Sequence, residues 1–83
     1  MKEFGQVLLE LSKEDIRNHP EKPVLRLIDD DGELLGIFDL RTSEVVRDFN
    51  LADYDIQFVQ KEIARNGENW LETWDDYVEF LSA

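Results

Sequence analysis

The chain of 83 residues contains no cysteine. That excludes a disulfide framework, a thiolate nucleophile and a thiolate metal site, and it fits a reducing compartment, so a cytoplasmic protein is expected. There is one histidine, which leaves little for imidazole-based catalysis or metal ligation. The four glycines are scattered, so no glycine-rich loop can cradle a phosphate. Long apolar runs are missing too. Val7–Leu11, interrupted by Glu10, is too short and too polar for a signal peptide or membrane span, and a soluble chain is expected. Basic residues are scarce, with nine Lys and Arg against twenty Asp and Glu and a formal net charge of −11. Nucleic acid and anionic membranes are poor partners for such a surface, because binding them requires cations that displace counterions. A basic protein surface is the natural complement.

What is present is enough to fold. A hydrophobic content of 42%, including two Trp, two Tyr and five Phe, supports a packed core in one domain spanning residues 1–83. Val7, Leu9 and Leu11 alternate within a strand read over Gln6–Leu11, although Phe4, Val7, Leu8 and Leu11 would also suit a helix face. Ser12 then caps a short helical turn, which Asn18-His19-Pro20 ends. Val24–Ile28 and Leu34–Phe38 flank Asp29-Asp30-Asp31-Gly32, and an Asp-Gly step between two apolar runs marks a hairpin. Gly36 inside the second run predicts a bulge or a close backbone contact. Glu44-Val45-Val46 adds a further short strand after the turn at Arg41-Thr42-Ser43.

The period then changes to that of a helix. Asn50 reads as an N-cap, Ala52, Ile56, Val59 and Ile63 fall on one face, and Leu51, Tyr54 and Phe58 widen it. Asn66-Gly67 predicts a stop, followed by a second helix from about Glu68 to Leu81. Its apolar stripe runs through Trp70, Leu71, Trp74, Tyr77, Val78 and Leu81. The expected fold is α+β: a three- to four-stranded antiparallel meander with two C-terminal helices packed on one face.

No constellation for catalysis emerges, and an enzyme is not expected. His19 lies in a loop and reads as solvated, and no serine has a base nearby in sequence. Asp29, Asp30, Asp31 and Glu33 are close enough to suggest a cation site. A calcium loop, however, spaces its acids alternately and places a glutamate six residues beyond its glycine, where this chain has Phe38. No metal or cofactor is therefore expected.

The feature that stands out is an acidic ridge. From residue 68 onward there is no Lys or Arg, while Glu68, Glu72, Asp75 or Asp76, and Glu79 recur three or four residues apart. Like charges at that spacing repel by a few tenths of a kcal/mol each, roughly, and acids in a last turn oppose the helix dipole. Lys or Arg elsewhere in the fold, counterions or a basic partner would relieve that repulsion. Glu68, Glu72, Asp75, Asp76 and Glu79 are thus the candidate partner-binding residues, with Asp29, Asp30 and Asp31 as a second patch. Trp70 and Trp74 read as core, with an exposed interface anchor as the alternative for one of them.

The order of motifs resembles the small bacterial proteins grouped as domain of unknown function 4160. The resemblance rests on Phe4-Gly5 before a strand, on His19-Pro20, and on Phe38-Asp39-Leu40-Arg41-Thr42-Ser43-Glu44-Val45 after an acidic hairpin. It continues in the helical segments from Val59 to Asn66 and from Glu68 to Trp74. The chain departs from that pattern in lacking histidines after the His-Pro step, in the added segment Ser12–Asn18 and in a longer tail. What the resemblance implies is a small binding protein from toxin–antitoxin-like gene neighbourhoods. The expected function is an antitoxin-like or inhibitor-like protein-binding module that engages a basic protein. The alternative is a nucleic-acid mimic, of phage or mobile-element origin, that blocks a DNA-binding enzyme or defence complex.

Overall fold

The structure is a computed structural model and describes residues 7–82. Phe4, Gly5 and Gln6, which open the expected first strand and the family resemblance, lie outside the described residues. In chain order the elements are β1 (Leu8–Glu10), α1 (Lys13–Asn18), β2 (Val24–Ile28), β3 (Leu34–Asp39), β4 (Val45–Asp48) and α2 (Asp53–Ser82). The strands form one antiparallel sheet in the order β1-β2-β3-β4. The α+β class, the four-stranded meander and the presence of two helices all agree with the sequence reading.

The β2–β3 hairpin closes as its residues dictate. Gly32 takes a φ of +87°, which a side chain disfavours, and Asp29 Oδ1 accepts from the backbone N–H of Asp31 and of Glu33, each at 2.9 Å. A Cβ at Gly32 would meet nothing within 4 Å. Gly32→Ala is therefore expected to cost about 1 kcal/mol from backbone strain alone, measured as a shift of the urea midpoint at unchanged m-value. The next turn reuses the device: Asp39 Oδ1 accepts from Arg41 N and Thr42 N at 2.7 and 3.0 Å.

Register decides which face is buried. Leu27 sits opposite both Leu9 and Gly36, and Leu25 sits opposite Phe38. These positions share one face, and Val59 and Ile63 of α2 pack on it together with Leu35 and Leu40. The bulge foreseen at Gly36 is there, because Leu27 pairs with Gly36 while Ile28 pairs with Leu34, leaving Leu35 as the extra residue. The close contact is there as well: Leu51 and the Arg47 carbonyl crowd the glycine.

The helices are distributed differently from the expectation. One is the short α1, capped by Ser12 Oγ accepting from Glu14 N at 3.2 Å. The other is a single helix of 30 residues, where a stop at Asn66-Gly67 and two consecutive C-terminal helices were expected. Gly67 is buried, and a Cβ there would lie 3.3 Å from Ile63 Cγ2 and 3.9 Å from the Leu40 carbonyl oxygen. The Leu40 distance is an ordinary contact and only Ile63 of the same helix is tight, so it is packing along both halves of α2 that outweighs the weak helix propensity of glycine. The start also moves. Asn50 is not the cap, since α2 begins at Asp53 and the carboxylate of Asp55 accepts from the Ala52 N–H at 3.1 Å.

The first half of α2 crosses the sheet, and Gln60 donates to the Ser43 carbonyl at the β3–β4 turn. The second half runs on past that end of the sheet and packs against α1. There Trp74, Ile16 and Val24 form a second buried cluster, with Val78 and Leu81 against it. Trp74 is fully buried, and its indole N–H donates to the Pro20 carbonyl at 2.9 Å. Trp70 is half-buried against the main core.

Candidate functional site

The overhanging half of α2 carries the ridge. Trp74 is tied down by α1 and Pro20, so the opposite side of the helix must face solvent. Glu68, Glu72, Asp75, Asp76 and Glu79 are all exposed, within one sector of the helix. Among the described residues none of the five takes part in an ion pair. Phe80, 75% exposed, lies beside Asp76 on the helix, and Tyr77, 39% exposed, lies on the tryptophan side. Tyr77 thus leaves the buried stripe in which the sequence places it, as do Tyr54 and Phe58 at 74% and 41% exposed. Tyr54 and Phe58 lie on the side of α2 away from Val59 and Ile63, and Tyr77 lies where the helix has passed the end of the sheet.

Asp29, Asp30 and Asp31 do not extend the ridge. Backbone N–H groups of Phe49 and Asn50 bond the Leu35 carbonyl, so α2 sets out from beside the hairpin end of the sheet. Its acidic half passes the other end, at Pro20 and the start of β2. The two patches therefore sit at opposite ends of the molecule. Carboxylate oxygens of Asp29, Asp30 and Asp31 can gather within 4.8 Å of one another. Asp29 is already committed to the turn through its Oδ1.

A third arrangement escaped the sequence reading. His19, expected as a solvated loop residue, is half-buried and stacks on Trp74 with ring centroids 6.4 Å apart and planes at 25°. Its Nε2 lies 3.6 Å from Asp15 Oδ1, and its Nδ1 lies 3.2 Å from the Lys22 carbonyl oxygen. Asp15 is buried and receives both Arg26 Nε and Arg26 Nη2, at 2.8 and 2.9 Å. Those hydrogen bonds raise the Arg26 guanidinium above its ordinary pKa against the opposing effect of partial burial, and the charges of Asp15, Glu14 and Glu10 add to the rise. Arg26 alternates with the buried Leu25 and Leu27, so this pair pins α1 across the face of the sheet that α2 leaves open.

On that open face lies a groove of about 550 Å³, floored by Val24, Ile37 and Val46 and rimmed by His19, Asp39 and Arg47. The carboxylate of Asp15, held by Arg26 through both oxygens, also lies 3.6 Å from His19 Nε2, which ties the loop between α1 and β2 to the same group. The i, i+4 spacing of Asp15 and His19 was the available signal. Arg26, eleven residues along the chain from Asp15, had none. Among the described residues no helix is long and apolar enough to cross a membrane. No protein-family model, curated protein or solved structure matches the chain.

Proposed function

We propose that this protein is a non-enzymatic binding module, antitoxin-like or inhibitor-like, whose C-terminal helix engages a basic protein surface. One observation carries the reading. Five carboxylates line a helix that projects past the sheet, and no cation among the described residues pairs with them. A solvated carboxylate loses little on meeting an exposed cation, and a row of them attracts a complementary partner before contact. Phe80 beside the row supplies apolar area that a protein partner can bury and that imitation of a phosphate backbone does not need. This favours an antitoxin-like or inhibitor-like module over a mimic of nucleic acid.

The triple substitution Glu72→Lys, Asp76→Lys and Glu79→Lys tests the reading. It should leave the fold intact, and it should gain a few tenths of a kcal/mol per site, roughly, as repulsion and the opposed helix dipole are relieved. Affinity capture from the native host should yield a basic protein with the wild type at moderate salt, and lose it with the triple variant or in high salt. Retention of every captured protein by the triple variant would remove the ridge from the function.

A further inference from the structure

The outward side of α2 carries a second period. Tyr54, Phe58, Lys61 and Arg65 follow one another at alternating steps of four and three residues. Glu68, Glu72, Asp75 and Glu79 continue the same steps without a break. This is the spacing that keeps one stripe of a helix turned toward a neighbouring helix. All eight side chains are exposed, over about 38 Å at roughly 1.5 Å per residue. The stripe is divided: aromatic at its start, cationic in the middle, anionic at its end. Arg65 has one exposed contact, to Glu62 at 3.6 Å, of a kind that exchanges readily. Among the described residues Lys61 and the four acids have no ion pair.

We infer that this stripe is the contact through which two copies of the chain pair, with their α2 helices antiparallel. In the register that sets Arg65 opposite Glu68 of the second copy, Lys61 faces Glu72, Phe58 faces Asp75 and Tyr54 faces Glu79. Two-fold symmetry repeats each pairing, so every acid of the stripe meets a cation or an aromatic and none meets an acid. The Tyr54 hydroxyl adds a donor for the Glu79 carboxylate. Parallel pairing in register would set like charges against one another at all six charged positions of the stripe. The net charge of −11 on each copy opposes association at low salt. At about 0.15 M salt the Debye length is near 8 Å, which screens the whole-molecule repulsion and spares pairs in contact. At about 1 M it is near 3 Å, and the contact pairs weaken too.

The inference goes beyond the proposed function and needs no second protein. A basic partner at Glu68 and Glu72 competes with the second copy for the same carboxylates. Sedimentation equilibrium of the purified full chain at 0.15 M and 1 M salt tests it. The wild type should be a dimer at the lower salt, with a dissociation constant at least tenfold weaker at the higher. Lys61→Glu/Arg65→Glu should be monomeric at both, and so should Glu68→Lys/Glu72→Lys. The two variants mixed in equal amounts should form a one-to-one dimer, with circular dichroism confirming that each remains folded. A wild type that stays monomeric at 0.15 M, or a dimer that survives Lys61→Glu/Arg65→Glu, overturns the inference. The latter variant keeps every ridge carboxylate, so it separates this contact from the capture of a basic partner.

Discussion

Trp74→Ala is expected to cost about 3–5 kcal/mol and to release the last turns of α2 from the rest of the domain. Trp74 is fully buried and holds the smaller of the two cores, where Ile16 of α1, Val24 of β2 and the turns carrying Val78 and Leu81 converge. Its removal leaves a cavity that α1, only six residues long, is too short to fill. It also strips the Pro20 carbonyl of its indole donor and His19 of its stacking partner. A domain of this length has a total stability of about 4–12 kcal/mol, so the variant should be marginal at 37 °C. Urea denaturation followed through the remaining Trp70 should show the loss, and far-UV circular dichroism should show reduced helix before global unfolding. Trp74→Phe retains most of the volume and should cost less than half as much. A loss below about 1 kcal/mol for the alanine variant would mean that the overhang of α2 is not anchored there.

Gly36→Ala is expected to cost about 2–3 kcal/mol although it adds a single methyl group. A Cβ at this position would lie 2.5 Å from Leu51 Cδ1 and 2.9 Å from the carbonyl oxygen of Arg47. The leucine can turn aside. The carbonyl belongs to β4 and moves only if the β3–β4 pairing spreads. Adding Leu51→Ala should recover part of the loss, and the residue of the double-mutant cycle measures the backbone share. Gly32→Ala, where only φ is at stake, should cost visibly less.

Several features were legible in advance because their causes are local. The hairpin follows from Asp29 and Gly32, which supply an oxygen for two backbone donors and a backbone free to take positive φ. The cap at Ser12 is equally local, and the bulge beside Gly36 was announced by a glycine inside an apolar strand. The ridge was legible because helical spacing alone groups its acids, whether or not the helix is interrupted upstream. Asn66-Gly67 reads as a stop because glycine usually follows a helix end, whereas here the contacts of the residues before and after it, on the sheet and on α1, hold one helix through it. Tyr54, Phe58 and Tyr77 were placed in the core by spacing, but the extent of the sheet sets how much of a helix it can cover.

Composition and spacing by themselves determined an α+β chain with no thiol chemistry, an excess of negative charge, and a row of carboxylates on the side of the last helix away from its tryptophans. Those properties depend on residues near one another in the chain. Only the tertiary structure decided that α2 is one rod overhanging the sheet, that the acids of the hairpin and of the ridge lie at opposite ends, and that Arg26 reaches across to Asp15. Each of these joins segments far apart in sequence. Their distances are set by how the two cores pack, which no local pattern encodes.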